Sequence, residues 1–441
     1  MMRKEIYRIS SDEELTDAKL NQFIMRHAAE STFRYKPLDD AYRTDYPIFH
    51  EKSKPKWKPD NRIAVNFAKY IVDTMNGYFI GNPIKITVDG ENESIADYVE
   101  FLDQYNDQDD NNAELSKICS IFGKGYEMYY NDDEDGNVGI IYLDPMEAFM
   151  IYDDSVLRKE RYFVRLYKDV DNVLHGSVSD EQKVRWFTLK GKLVWDKKEQ
   201  EHYFDGVPAT EYRENKECQG IFEPVMSMID AYNKAISEKA NDVDYFADAY
   251  LKIIGTLLDE DELKHIRSDR VINFDGDAEN LMIDFLQKPD GDVTQEHLID
   301  RLEKLIFQIA MVANISDENF GTSSGIAMSY KLQAMNKTKE RKFTSGMNRR
   351  YKLIFSNPGN AMQKNDWVKL HYKFTPNVPA NLLEESQIAQ NLSGVVSQET
   401  QLGVLSVVDN PKAEIERIDK EEEKPKDIVM QQMFGDKANE R

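Results

Sequence analysis

Residues 61–86, NRIAVNFAKYIVDTMNGYFIGNPIKI, decide how the rest of the chain is read. From Val65 onward, Phe67, Ala68, Ile71, Val72 and Met75 recur at helical spacing and give a helix one apolar face. Gly77 marks the expected end of that helix. Gly81-Asn82-Pro83 then turns the chain into a strand at Lys85–Val88. A helix passed directly into a strand implies mixed architecture, and the sequence on either side carries the same mixture.

Upstream, Leu15, Leu20, Phe23 and Ile24 lie near helical spacing, and residues 36–60, with four prolines and many lysines, read as an exposed loop. Downstream, helices are expected at 94–106 and 113–122. Between about 125 and 212 the pattern changes: GYEMYY, VGIIYL, RYFVRLYK, KVRWFTLK, KLVWDKK and EHYFD are short aromatic and β-branched runs separated by turns. They predict a meandering antiparallel sheet. From Phe222 to Tyr250 a helix about 40 Å long returns, striped by Val225, Met228, Ile229, Tyr232, Ile236, Val243 and Phe246.

A small mixed segment comes next, and then a helix over 293–313 striped by Leu298, Leu302, Leu305, Ile306, Ile309 and Val312. The polar loop 314–324 interrupts it, and Ser324 caps a long helix that runs to Phe355 before Asn357-Pro358-Gly359. Residues 366–375 alternate as a strand. Helices at about 380–395, 397–405 and 411–423 complete an α+β chain, with a loose charged tail after them.

The 441 residues suit about three domains. With 41% hydrophobic and 31% charged residues the chain can build a core and still expose large surfaces. No signal peptide is read at the charged N-terminus. The longest apolar stretch, Leu305 to Ile315, spans about half a membrane and is interrupted by Gln308 and Asn314, so no membrane partner is expected. Cys119 and Cys218 are too few for a disulfide framework and point to a reducing compartment.

The 57 basic and 80 acidic residues give a net charge of −23. Nucleic-acid readers gain affinity by neutralising phosphates, which this chain as a whole is unsuited to do. A conduit through which DNA slides without sticking is compatible with the charge, and so is an acidic protein kept soluble by it.

Candidate chemistry is sparse. NDDEDGN (131–137) places Asn131, Asp133, Asp135 and Gly136 as a calcium loop would, but Tyr142 stands where a bidentate Glu is required, which leaves a hairpin turn. FGKGYE (122–127) lacks the spacing of a phosphate-wrapping loop and reads as a packing turn. The seven histidines show no metal-ligand spacing, and neither cysteine has an activating neighbour. The run 97–114, with seven acids and no base, reads as a solvated face. No cofactor, metal or catalytic residue is expected.

The local exception in charge is 331–352, where Lys331, Lys337, Lys339, Arg341, Lys342, Arg349, Arg350 and Lys352 face the single acid Glu340. This cluster could meet DNA phosphates or an acidic partner, or could neutralise acidic helices of neighbouring subunits.

Three stretches, taken in order, carry a family resemblance: residues 61–86, 313–332 (ANISDENFGTSSGIAMSYKL) and 397–420 (SQETQLGVLSVVDNPKAEIERIDK). The chain from about 15 to 420 resembles the portal proteins of long-tailed double-stranded-DNA bacteriophages that infect Gram-positive bacteria. That resemblance implies a ring of about twelve copies around a DNA channel. It divides the chain into a wing (1–222), a first stem helix (223–249), a clip (250–292) and a second stem helix (293–313). After these come a tunnel loop (314–324), a long helix with the returning wing strand (325–377), a crown (378–425) and a tail (426–441).

It also assigns roles. Ile229, Tyr232, Leu302, Leu305 and Ile309 would pack the stem. Asn314, Ser316, Asp317, Glu318, Asn319, Phe320, Thr322 and Ser323 would line the channel. Lys337, Lys339, Arg341, Lys342, Arg349 and Arg350 form the candidate phosphate-facing or inter-subunit cluster. Implied partners are further copies of the chain, passing DNA, terminase, a head–tail adaptor, and the major capsid and scaffolding proteins. Between YKLQAM (330–335) and TKERKF (338–343) the family's helix is a few residues longer, and each residue removed rotates the downstream half of the helix by about 100°. The other classes weighed are a packaging nuclease or ATPase, which lacks a phosphate loop and paired metal carboxylates here, and a head–tail adaptor that forms no channel.

Overall fold

The computed structural model describes residues 7–55, 58–89, 92–133, 135–247, 251–254, 282–285, 292–314, 343–360, 362–377 and 382–405, with isolated positions at 332, 335, 407–408, 411, 414–415 and 417–420. Two compact units are present: one holds residues 1–322 and 328–376, the other 323–327 and 377–441.

The first unit opens with strand β1 (Tyr7–Ile9) and helix α1 (Asp17–Glu30), capped by Thr16, whose side chain accepts from Lys19 N. A π-helical turn (Ser31–Tyr35) joins α1 to α2 (Lys36–Tyr42), so part of the expected loop 36–60 is helical. Pro37 accounts for both the loop-like sequence and the turn. It has no N–H for the i−4 ladder, yet fits the first positions of a new helix, and the wider π turn hands the backbone across the gap.

Helix α3 (Phe67–Ile80) runs through Gly77 to Gly81, with Asn66 capping Lys69 N. Gly77 is exposed there, and Tyr78, Phe79 and Ile80, all buried, hold the last turn helical. After β2 (Lys85–Val88) come α4 (Glu93–Tyr105) and α5 (Gln108–Phe122), the latter starting five residues earlier than expected. Asp107, with φ +47°, breaks the two apart.

The β region forms two sheets rather than one meander. Strands β3 (Lys124–Asn131), β4 (Val138–Leu143) and β10 (Ala209–Arg213) form a three-stranded sheet in the order β10-β3-β4. Strands β5 (Ala148–Asp153), β6 (Glu160–Lys168), β7 (Leu174–Ser179), β8 (Lys183–Lys190) and β9 (Lys192–Glu201) extend a six-stranded sheet that begins with β1. Its neighbours are antiparallel except β1, which pairs parallel to β5. Tyr7, Leu20, Phe23, Phe149 and Val164 pack α1 onto this sheet, and Tyr126, Leu143, Met150 and Phe163 lie in a core shared by the two sheets.

A short 3-10 turn (Glu223–Val225) leads into α6 (Met226–Ala247), and strands β11 (Leu251–Ile254) and β12 (Met282–Phe285) pair antiparallel before α7 (Asp292–Ala310). Helix α8 (Thr344–Ile354) starts afresh after non-helical Phe343. The expected strand 366–375 is a 3-10 turn (Asp366–Lys369) leading into β13 (Leu370–Lys373), antiparallel to β2.

Beside the core that holds Phe343, Met347 and Tyr351, the Arg350 guanidinium is fully buried. Its Nε donates to Glu127 Oε2 (2.9 Å), one Nη2 bond reaches Asn112 Oδ1 (2.6 Å), and another reaches Glu127 Oε1. Tyr129 and Tyr212 donate their hydroxyls to Glu127 Oε2 at 3.0 and 2.8 Å. Burial opposes the Arg350 charge, but Glu127 together with Tyr212 and Tyr351 more than offsets it and holds the group well above its ordinary range. One contact thus joins α8 to α5, β3 and β10.

In the second unit, α9 (Leu382–Leu392) and α10 (Gln398–Leu402) are tied by Gln401 Nε2 donating to Ala389 O (2.9 Å), and Ser397 caps α10 through Thr400 N.

Two outcomes are expected. Arg350→Met leaves Glu127 buried without its cation and lowers the unfolding free energy by about 3–5 kcal/mol, while Arg350→Met with Glu127→Gln loses much less than the sum of the singles, as denaturant titration would record. A methyl added at Gly77 meets nothing within 4 Å. Gly77→Ala therefore raises stability by about 0.5–1 kcal/mol, and an unchanged or lower melting temperature contradicts the helical placement.

Candidate functional site: the paired helices and the strap across them

Helices α6 and α7 pack on each other and on the start of α3. Phe67 stands edge-on to Tyr232 (centroids 4.8 Å apart) and to Phe307 (5.7 Å), and Tyr70 is edge-on to Phe307 (5.5 Å). Ile229 and Tyr232 are buried as expected, whereas Leu302 and Leu305 are half-buried and Ile309 is 40% exposed. The buried face of α7 is centred on Ile299, Ile306 and Ala310, one position round from the expected stripe. The expected stripe includes Ile306 but passes over Ile299 and Ala310, and only part of it is covered by this chain. Val243, Val293, Leu298, Ile309 and Met311 are left exposed. Polar ties join the two helices away from this face: Gln295 Nε2 donates to Asp242 Oδ2 (3.3 Å), and Lys239 pairs with Glu296.

The segment just before α3 crosses α6 as an extended strap. Asn61, Ile63 and Val65 donate their backbone N–H groups to Asn241 Oδ1 (2.6 Å), Ser237 Oγ (2.8 Å) and Asn233 Oδ1 (2.8 Å). The acceptors are spaced i, i+4, i+8 on one face of α6, and the donors alternate along the strap. An extended segment rises about 3.3 Å per residue and a helix about 1.5 Å, so two strap residues match one helical turn. Asn61 Nδ2 donates to Asp244 Oδ2 and Lys54 pairs with Glu238 at the same face. Nothing in the apolar patterning signals this ladder. The spacing of Asn233, Ser237 and Asn241 does.

Of the expected channel loop only Asn314 is described. Its Nδ2 donates to Glu303 Oε1 (3.3 Å), and Tyr70 OH donates to its Oδ1 (3.5 Å), beside a cleft between α3 and α7 that Phe67, Tyr232 and Phe307 also line. Ser316, Asp317, Glu318, Asn319, Phe320, Thr322 and Ser323 lie outside the described residues, as do Lys337, Lys339, Arg341 and Lys342.

Of the described members of the basic cluster Lys352 is exposed, and the two arginines are turned to internal use. Arg350 is the buried partner of Glu127 and has no surface from which to reach a phosphate. Arg349 pairs with Glu160 (3.0 Å) and donates to the Ala209 and Val207 carbonyls (3.2 and 3.3 Å). Helical amphipathicity misleads here, because a cation at a core position looks like a surface residue until its buried acid is placed beside it.

The remaining motifs are structural. Asp135 Oδ1 accepts from Asn137 N (2.9 Å) and Tyr105 OH (3.2 Å), which closes the β3–β4 hairpin. At Gly123, φ is +85° and a Cβ would lie 2.1 Å from Cys218 O, so the Gly-Lys-Gly turn is a close backbone crossing. Arg34 Nη2 donates to that same Cys218 carbonyl (2.6 Å), and Arg34 Nε donates to Glu223 (3.0 Å) at the entry to α6. Among the described residues no group of three or more His, Cys, Asp or Glu is placed to hold a metal ion, and no helix is long and apolar enough to cross a membrane.

Residues 21–427 match the family described as phage portal protein, SPP1 Gp6-like. The portal protein of Clostridium phage phiCD119 is 23% identical over 395 residues, covering 82% of this chain and 85% of that protein. The portal protein of Bacillus phage SPP1 is 23% identical over 428 residues, covering 87% of this chain and 80% of that protein. Among solved structures, a chain from the neck of an empty GTA particle computed with C6 symmetry aligns at a TM-score of 0.46 and 10% identity, over 76% of this chain and 89% of that one. The match along most of the length, in family and in named relatives, places this chain in the SPP1 Gp6-like family of phage portal proteins.

Proposed function

We propose that this portal protein assembles into a ring of about twelve copies at one capsid vertex, with α6 and α7 as the stem around a DNA channel. The observation that supports this most directly is the apolar surface left open on the helix pair: Leu298 and Ile309 on one face of α7, and Val243 on α6, stand exposed. Exposed apolar side chains on paired helices favour association, and a ring covers such residues on every copy.

In this reading residues 1–222 form the wing, 250–292 the clip, 314–324 the tunnel loop and 378–425 the crown. Asn314, Ser316, Asp317, Glu318, Asn319, Thr322 and Ser323 present the passing duplex with polar groups and little positive charge, and the net charge of −23 keeps phosphates from adhering. The ring serves DNA packaging with terminase, then ejection through the head–tail adaptor, and sits among the major capsid and scaffolding proteins of the virion. The protein acts as a conduit and docking ring, without turnover of its own. With Arg349 and Arg350 used inside the fold, Lys331, Lys337, Lys339, Arg341, Lys342 and Lys352 are the cations of the cluster left for DNA or a neighbouring subunit.

Ile309 separates folding from assembly, because it is exposed in the single chain. Ile309→Asp should leave the stability of the isolated chain within about 0.5 kcal/mol and prevent ring formation. Native mass spectrometry and negative-stain images would record loss of the ring species with an unchanged melting curve, and normal rings from this variant would remove α7 from the interface. The channel assignment has its own test. Both native cysteines are buried, so Asn319→Cys offers the accessible thiol. Near the ring axis it should crosslink between subunits and impair packaging, whereas free labelling on the outer surface with packaging intact would place the loop elsewhere.

A further inference from the structure

The outer strands of the six-stranded sheet are covered on one face only. Leu174, Phe187, Leu189, Leu193 and Trp195 lie on the face that packs with α1. On the opposite face Met150 and Phe163 meet the three-stranded sheet, but the rows beyond them are open to solvent: Tyr167 is 39% and Val194 56% exposed.

Side-chain contacts fix what this open face carries. Tyr167 stacks on His175 (centroids 5.6 Å apart), and His175 Nδ1 is 3.1 Å from Thr188 Oγ1. Arg165 lies over the Tyr167 ring (5.1 Å) and Lys198 over the Trp186 ring (5.9 Å). Lys190 and Lys192, paired across the β8–β9 turn and both exposed, alternate with Thr188 and Val194 onto the same face. Among the described residues none of Arg165, Lys190, Lys192 and Lys198 is half of an ion pair; on these strands Glu199 is taken by Lys183. Against them stand Asp196 and Asp169, the latter bonded to His175 Nε2 (2.8 Å). The face is therefore positive in a chain whose net charge is −23, and it suits an anion.

Strand register sets the spacing of the cations. Arg165 is opposite Ser177, Ser177 is opposite Trp186, and Lys198 covers Trp186, so Arg165 and Lys198 stand in one row from β6 to β9. Three strand spacings make that row about 14 Å long. Lys190 lies four residues along β8 from Trp186, about 13 Å away. Both separations are close to the roughly 12 Å width of the DNA major groove, so these side chains can reach phosphates on both of its sides. An extended acidic peptide, about one strand wide, would leave part of this spread unmatched. Stacked bases are disfavoured too, because Arg165 and His175 already occupy the Tyr167 ring and Lys198 the Trp186 ring.

We propose that the open face of β6–β9 binds the phosphate backbone of duplex DNA without reading its sequence, as a second contact beside any made by α6, α7 and the loop after them. Arg165, Lys190, Lys192 and Lys198 make the phosphate contacts. Tyr167 and Trp186 hold two of these cations in place by cation–π attraction, which leaves their charge unneutralised. At physiological ionic strength charges more than about 8 Å away are largely screened, so a duplex on this face responds to its cations more than to the net charge of the chain.

The probe is a labelled, relaxed closed-circular duplex, which cannot thread a closed ring, so its binding is read apart from the channel. Filter retention by the full-length protein should be saturable at about 50 mM salt and weaken roughly fifty-fold by about 150 mM, the loss expected for about four phosphate contacts. Lys190→Gln/Lys192→Gln should halve the slope of log affinity against log salt with an unchanged melting curve, because both side chains are exposed. Lys168→Gln/Lys197→Gln, which removes equal charge from the opposite face of the same sheet, should bind as the parent does. Absence of saturable retention overturns the proposal, and so does equal loss in the two double variants. A single-stranded thymidine homopolymer held more tightly than the duplex overturns it in favour of base stacking. Displacement of the duplex by polyglutamate at matched charge overturns it in favour of an acidic protein partner.

Discussion

A guanidinium removed from water is tolerated only with its counter-charge and hydrogen bonds in place, and Arg350 with Glu127 sets that condition across a sequence separation of 223 residues. Glu127 is on β3, opposite Thr210 of β10. Its two oxygens accept from Arg350, Tyr129, Tyr212 and Gln108. A one-residue slip of β10 would turn Tyr212 away from the carboxylate, and loss of α8 would strand the charge. The three-stranded sheet, α5 and α8 are therefore specified together, and the core containing Phe79, Leu115, Phe343, Tyr351 and Leu370 closes around that arrangement.

Much of the architecture is readable from periodicity. Helices α3, α4 and α6 and the strands of the β region carry their burial pattern openly, because each presents one face to a core and one to solvent. Four things are hidden for physical reasons. Pro37 reads as a loop signal but begins a helix. Gly77 reads as a terminator but sits in a helix whose last turn is anchored by Phe79 and Ile80. Arg350 reads as surface because its partner is distant in sequence and joins it only once β3 and α8 are packed. The division of the β strands into two sheets is equally hidden, since local alternation gives a strand its faces but not its neighbours.

The candidate site is legible in outline and shifted in detail. Ile229 and Tyr232 are buried, while on α7 the chain covers Ile299 and Ile306 and leaves Leu298 and Ile309 to solvent. An apolar stripe wider than one partner needs leaves part of its width open to solvent. The basic run shows the opposite economy. Two of its cations are consumed inside the fold, so the positive surface is smaller than the residue count suggests, and the exterior is correspondingly more anionic.

The strap over α6 stores its specificity unevenly. Apart from the side-chain bonds of Asn61 and Lys54, its ladder is made by backbone N–H groups at Asn61, Ile63 and Val65, while the acceptors are side chains at Asn233, Ser237 and Asn241. Any amino acid except proline supplies the same donor, so the strap can diverge in sequence while its track on the helix cannot. Proline at 62 or 64 would leave the three N–H groups intact, whereas proline at 61, 63 or 65 would delete one rung. Among relatives, variation would therefore concentrate in one partner of this contact, and a pairwise search for co-varying residues would miss an interaction that holds the approach to α3 onto α6.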